Sequence, residues 1–155
     1  MINRRHIRVK VMQSVYAMIK SYDDDVLKEE KFIKHSIKRM FDLYVLLLDL
    51  LVEVQKLAVE KQEISKKKYL ATKEDLSPNR KFVENKLIKK IAESSSLTLY
   101  KEAQNLDNWS KDDEYIKIIW DLLQNSDLFF EYLNSSEDSY NSDKDFVVAF
   151  FKEII

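Results

Sequence analysis

Three arginines near the start of the chain are the residues best suited to binding a charged ligand. Arg4, Arg5 and Arg8 open the segment "RRHIRVKVMQSVYAM", whose apolar residues recur at helical spacing. At about 100° per residue, the three side chains share one arc of a helix surface. Cations at a helix N-terminus oppose the helix dipole by about 0.3–1 kcal/mol each, and residues 1–20 contain no acid to offset them. A bound phosphate would relieve this conflict, because helix N-terminal amides and guanidinium groups both recognise phosphate.

The same arginines also fit two arrangements without a ligand. They could form a solvated helix end, or they could pair with acidic side chains that the fold brings close from elsewhere. Lys10 points almost opposite to the arginines on a helical wheel. The residue types alone leave the anion site and both alternatives open.

Other side chains offer little chemistry. His6 and His35 are too far apart to share a helix face, and neither has a carboxylate at metal-ligand spacing. The acids of residues 23–25 and 112–114 precede predicted helices, where carboxylates stabilise the helix dipole. Residues 138–145 lack the glycine and the final glutamate of a calcium loop. We therefore expect no enzyme activity, no metal and no cofactor.

Composition predicts an all-α protein. The 155 residues contain no glycine and one proline, so glycine-dependent P-loops, dinucleotide fingerprints and EF-hand loops are excluded. The absence of cysteine fits a reducing compartment, and we expect a cytoplasmic protein. The most apolar run, residues 43–54, is too short to span a bilayer. Residues 103–155 carry 12 acidic and 4 basic residues, so the positive charge is concentrated earlier in the chain.

Apolar periodicity predicts a helical bundle with one very long central helix. A first helix over residues 4–21 has two apolar stripes and is expected to be buried beyond its first turn. Residues 26–68 carry a heptad-like seam beside one narrow polar edge, as in the central helix of a bundle. The seam comprises Ile33, Ile37, Met40, Tyr44, Leu47, Leu51, Val54 and Ala58, and the polar edge comprises Lys38, Asp42, Asp49, Glu53, Lys56 and Glu60.

Capping signals predict shorter helices in the second half. Ser77 followed by Pro78 predicts the start of a helix through residues 83–91, and a short helix is expected over residues 97–106. Further starts are predicted by Ser110 with Asp113, by Ser126 with Asp127, and by Ser142 with Asp145. We divide the chain into a core helix pair (1–65), a linker or helix end (66–80) and additional helices (81–155). The apolar ending "FFKEII" suggests the N-terminal fragment of a longer protein.

The opening segment resembles the N-terminal helix of the bacterial transcription antitermination factor NusB family. That family begins with an arginine-rich motif and continues with an apolar helix carrying a glutamine and, three residues later, a tyrosine. The matching residues are Arg4, Arg5, Arg8, Gln13 and Tyr16. The specific match covers about the first twenty residues, and the pattern of a helix followed by a long core helix extends it to about residue 60. In the family, the arginine-rich start contributes to binding of boxA-type RNA, jointly with the ribosomal protein partner NusE.

The resemblance implies a NusB-like helical fold, no enzymatic activity, and a boxA-like element of an rRNA leader as the ligand. Gln13 and Tyr16 are expected mainly to hold the first helix against its neighbours. The second-half signature of the family is absent, so the chain corresponds to the N-terminal part of an elongated NusB-like protein. Binding of a NusE-type ribosomal protein and of the transcription complex is therefore in doubt for this chain. The predicted RNA-binding residues are Arg4, Arg5 and Arg8, with His6, Lys10 and Gln13 as weaker candidates.

Two other functions stay open at this point. One is a structural helical bundle that binds protein partners through an apolar face. The other is a NusB-like domain that recruits RNA to an rRNA methyltransferase.

Overall fold

The computed structural model of the protein describes residues 3–22, 25–69, 72 and 76–155, and all regular elements in these ranges are helical. The predicted all-helical bundle is confirmed. No helix in the described ranges is long and apolar enough to cross a membrane. The chain forms two compact units, Met1–Leu47 and Leu48–Ile155. The helices are α1 (Arg4–Ser21), α2 (Val26–Lys66), α3 (Lys86–Ala92), α4 (Ser95–Gln104), α5 (Asp113–Gln124), α6 (Asp127–Asn134) and α7 (Tyr140–Glu153).

The first unit contains α1 and the first part of α2. Helix α1 ends at Tyr22, whose backbone is left-handed (φ 54°, ψ 30°). Helix α2 then begins with a carboxylate cap, since Asp25 Oδ1 accepts a hydrogen bond from the amide of Lys28 at 3.0 Å. This agrees with the expectation that the aspartates after Tyr22 start the next helix. Asp23 and Asp24, which were part of that expectation, lie outside the described residues.

Helix α1 is much more exposed than its apolar spacing predicts. We expected burial beyond the first turn, yet Val11 and Ile19 are 40% and 67% exposed. Its covered line runs through Lys10, Ser14 and Met18, at a spacing of four, so of the predicted stripe of Ile7, Val11, Val15 and Met18 only Met18 is covered. The expectation of a buried first helix was therefore wrong. The physical reason is that the described part of this unit offers α1 only one other helical segment to cover it.

The predicted seam of α2 is most deeply buried in the second unit. Leu51, Val54 and Ala58 are fully buried, whereas Tyr44 of the first unit is largely exposed. The predicted polar edge was wrong at two positions, because Asp42 and Asp49 are both buried. Asp49 is tolerated there because the ammonium group of Lys101, from α4, forms an ion pair with its carboxylate.

The core of the second unit is built around an aromatic cluster centred on Phe82. This side chain lies in the turn over residues 81–84 and is almost completely buried. Its ring centroid lies 5.5 Å from that of Phe129 and 5.8 Å from those of Trp120 and Phe146. These rings come from α5, α6 and α7, so one non-helical residue joins three helices. Edge-to-face and tilted arrangements of this kind add to the stabilisation from burial.

A buried polar network joins the start of α3 to α6 and α7. Asn85 caps α3, because its Oδ1 accepts from the amides of Leu87 and Ile88 at 3.0 and 3.1 Å. Asp143 accepts from the Tyr132 hydroxyl at 2.6 Å and from the amide of Lys86 at 2.8 Å. Asn85 Nδ2 in turn donates to the Tyr132 oxygen at 3.0 Å. The buried polar groups of this network therefore satisfy one another.

The predicted start of α3 was wrong. Ser77 and Pro78 were expected to open that helix, but Pro78 is not helical and the cap is Asn85. The intervening turn is needed because it places Phe82 and Val83 in the core. A short sequence pattern does not show that constraint.

The later helix starts agree in part with the predictions. Ser126 caps α6 as expected, accepting from the amide of Phe129 at 3.2 Å. The predicted capping box at Ser110 is absent, because its hydroxyl donates to the carbonyl of Asp107 and α5 begins after Asp112. The predicted cap at Ser142 was also wrong. Ser139 is the cap of α7, since its hydroxyl accepts from the Ser142 amide at 3.1 Å.

The Tyr132 hydroxyl makes stability sensitive to alkaline pH. Burial raises its pKa well above the usual range, and the hydrogen bond to the Asp143 carboxylate raises it further. The folded state thus favours neutral Tyr132, and this contribution is complete below the unfolded pKa of about 10 and is lost as pH rises above it. We expect the free energy of unfolding to fall above about pH 10 by up to about 1.4 kcal/mol per pH unit from this group alone.

Urea unfolding of wild type and Tyr132→Phe between about pH 9 and pH 11 measures this effect as a difference in slope. The variant is less stable at every pH, but its stability should fall less steeply above about pH 10. Equal slopes for the two proteins would show that the hydroxyl is not held neutral by the fold.

Candidate nucleic-acid interface

The start of α1 is fixed by a reciprocal cap between Asn3 and His6. The side chain of Asn3 accepts from the His6 amide at 3.1 Å, and His6 Nδ1 accepts from the Asn3 amide at 3.3 Å. The carbonyl of Asn3 also accepts from the amide of Ile7 at 3.3 Å. The segment before the arginines therefore has a defined geometry. His6, a weaker RNA-binding candidate, has one ring nitrogen occupied by this cap.

The three predicted arginines are exposed and have no acidic partner among the described residues. Arg4, Arg5 and Arg8 all lie on the open surface of α1, and none forms an ion pair with the residues that the structure describes. The amides of Arg4 and Arg5 likewise find no acceptor within the described ranges. Guanidinium forks, free amides and the positive end of the helix dipole thus coincide in one place. Such a surface attracts a polyanion.

Lys10 and Gln13 lie apart from the arginines. Lys10 is half-buried on the covered line of α1, so it does not extend the arginine arc. Gln13 is exposed, on the far side of the helix from Arg4 at about 180°. The expectation that Gln13 and Tyr16 hold α1 against its neighbours was wrong, because both are exposed and Tyr16 is 63% exposed. The structure therefore brings together only the three arginines of the predicted set.

An aromatic side chain continues the surface beyond the arginines. Tyr16 falls within about 20° of Arg5 on the helical wheel. The ammonium group of Lys20 lies 5.7 Å from the centroid of the Tyr16 ring. An exposed ring beside a cation is a platform on which an unpaired nucleobase can stack. Sequence reasoning missed this exposed position, because helical periodicity assigned Tyr16 to the core.

Elsewhere in the part of the chain that the structure describes, the candidate metal ligands and one cavity offer no further site. His35 is exposed, and no group of three metal-ligating side chains occurs among the described residues. A cavity of about 370 Å³ in the second unit is lined partly by Gln62 and Asn79. Gln62 donates to the Asn79 carbonyl, and Asn79 donates to the Leu133 carbonyl, so these amide donors are used within the protein.

The buried network around Asp143 was also missed by the sequence analysis. Asp143 was considered only within residues 138–145, which do not fit a calcium loop, and Tyr132 was not singled out. The donors and acceptors of this network hydrogen-bond to one another and to the start of α3, and they are buried away from any open site. Its role is to hold the second unit together.

Comparison with known proteins adds no relative. No protein-family model, no curated protein and no solved structure matches the chain significantly.

Proposed function

We propose that the protein is a non-catalytic, NusB-like RNA-binding factor of transcription antitermination, acting in the cytoplasm. In this proposal α1 binds a single-stranded, boxA-like RNA element, and the long helix α2 is the core helix of a NusB-like bundle. Arg4, Arg5 and Arg8 contact phosphates, while Tyr16 stacks on a base. His6 supports the site by capping the helix, and Lys10 and Gln13 contribute little.

The observation that carries the proposal is the free arginine arc at the capped end of α1. Three guanidinium groups stand on one side of the first turns without a partner among the described side chains. A helix end that is only solvated gains nothing from three cations, because the helix dipole disfavours positive charge at the N-terminus. The second ligand-free alternative was that the arginines form ion pairs with acids from elsewhere in the fold. Among the described residues, they form none. The resemblance of the arginine, glutamine and tyrosine pattern to the NusB family favours RNA among possible polyanions.

Replacing the three arginines should nearly abolish RNA binding. Loss of three phosphate contacts on single-stranded RNA releases about two fewer counterions, which corresponds to roughly a 100-fold weaker affinity at about 0.1 M salt. Fluorescence anisotropy of a labelled boxA-like RNA, titrated with wild type and with Arg4→Ala/Arg5→Ala/Arg8→Ala, measures this loss.

A matched control removes three exposed cations from the second unit. Lys89→Ala/Lys90→Ala/Lys111→Ala changes the net charge by the same amount and should leave the affinity within about threefold of wild type, since long-range charge effects are screened. Equal losses in the two triple variants would show that only net charge matters. That result would contradict a specific arginine site.

A protein-interaction module is a second candidate function, and the exposure of α1 favours it. Met12, Val15 and Ile19 of α1 are 71%, 48% and 67% exposed. Contiguous exposed apolar side chains commonly mark a protein–protein contact.

A further inference from the structure

The apolar side of α1 lies in line with two of its arginines. Val11, Val15 and Ile19 lie at a spacing of four and form one exposed line about 12 Å long. Arg4 and Arg8 continue the same side of the helix toward its N-terminus. No acidic residue occurs in α1, so this face combines apolar contacts with unbalanced positive charge.

Helix α5 presents a complementary face. Tyr115, Ile118 and Leu122 are 60%, 53% and 54% exposed and form one line about 10.5 Å long. The inward side of the same helix is buried in the core of the second unit, so the exposed line is not needed for folding. Exposed acids, Asp112 and Glu114, lie at the N-terminal end of this line beside one exposed cation, Lys111, so that the three charges sum to −1.

We propose that the exposed face of α1 in one copy of the chain docks on the exposed face of α5 in a second copy. The two apolar lines match in length, and the acids at the start of α5 meet the arginines at the start of α1 when the helices run parallel. Carboxylates beside the α1 N-terminus also relieve the conflict between its arginines and the helix dipole. Pairing α1 with another α1 would instead bring ten cations together, because each α1 has five basic and no acidic residues.

A contact between two different faces can join the copies head-to-tail or across a two-fold axis. Head-to-tail, each dimer keeps one free α1 face and one free α5 face and association continues, whereas a two-fold dimer uses both faces of each copy and stops there. The wild-type chain should therefore show a mass that rises with concentration up to about 0.2 mM. The association should weaken between about 0.05 M and 0.5 M salt, because the charges at the rim are screened.

Two single variants test the pairing. Val15→Glu disrupts the α1 face and Ile118→Lys disrupts the α5 face, and each variant alone should sediment as a monomer. Mixed in equal amounts, they should form a heterodimer and nothing larger, because one intact α1 face meets one intact α5 face. Sedimentation velocity of the full chain gives all three results, and circular dichroism verifies that each variant is folded.

Leu43→Glu is the matched control, since it places a glutamate at another exposed apolar position, 57% exposed on α2. It should associate like wild type. A monomeric wild type, a mixture that stays monomeric, or an equal effect of Leu43→Glu would overturn the proposal. The sedimentation experiment contains no RNA, because the arginines at the edge of this contact are the ones proposed to bind RNA. Both interface variants keep all three arginines, so their RNA affinity can be measured separately.

Discussion

Phe82→Ala is expected to lower the free energy of unfolding of the second unit by about 3–5 kcal/mol. The side chain is 1% exposed and is surrounded by the rings of Trp120, Phe129 and Phe146. Removing it leaves a cavity among three helices, and the backbone of the turn cannot collapse without moving the cap of α3. Urea unfolding followed by circular dichroism measures the loss.

The control for this prediction is an exposed phenylalanine of the same unit. Phe130→Ala, at 70% exposed, should change the free energy of unfolding by about 0.5 kcal/mol or less. If Phe82→Ala were equally mild, the turn over residues 81–84 would not be the centre of the core.

Asp143→Ala is expected to lower the free energy of unfolding by about 3 kcal/mol, because two buried hydrogen-bond donors lose the carboxylate that accepts from them. The Lys86 amide loses its acceptor, and the Tyr132 hydroxyl keeps only a long contact with the Lys81 carbonyl at 3.5 Å; an unsatisfied buried donor costs about 1–3 kcal/mol. The α3 start and the α6–α7 pair would loosen together, so near-ultraviolet circular dichroism of the aromatic cluster should weaken as well.

Two further substitutions separate this network from general charge effects. Asp143→Asn keeps one carbonyl acceptor and should be less destabilising than Asp143→Ala. Asp145→Ala removes an exposed carboxylate from the same helix and should be nearly neutral. A similar cost for positions 143 and 145 would mean that net charge, and not the buried hydrogen bonds, stabilises α7.

Local sequence signals predicted where helices form. They did not predict the helix starts that depend on packing between distant parts of the chain. The bounds of α1 were correct, because apolar spacing and the aspartates after Tyr22 are local. The caps at Asn85 and Ser139 were missed, because turn and loop conformations depend on where Phe82 and Asp143 must lie. Asp143 reaches its partner at Lys86 across 57 residues, and no local pattern encodes that distance.

The candidate site was predictable in its charge but not in its surroundings. The absence of acids near Arg4, Arg5 and Arg8 was visible in the sequence, and so was their common arc. The exposure of Tyr16 was not, because periodicity shows which residues are apolar but not what covers them. The reciprocal cap between Asn3 and His6 was missed as well, since histidine replaces the usual glutamate or glutamine of that motif.

The most direct test of an RNA-binding arginine site is the salt dependence of binding. For wild type and single-stranded boxA-like RNA, we predict a slope near −2 in a plot of log affinity against log salt concentration, at about −0.7 per phosphate contact. For Arg4→Ala/Arg5→Ala/Arg8→Ala, the magnitude of this slope should decrease to nearly zero. A wild-type slope near zero, or a slope that the triple variant leaves unchanged, would contradict the assignment of α1 as the RNA-binding element.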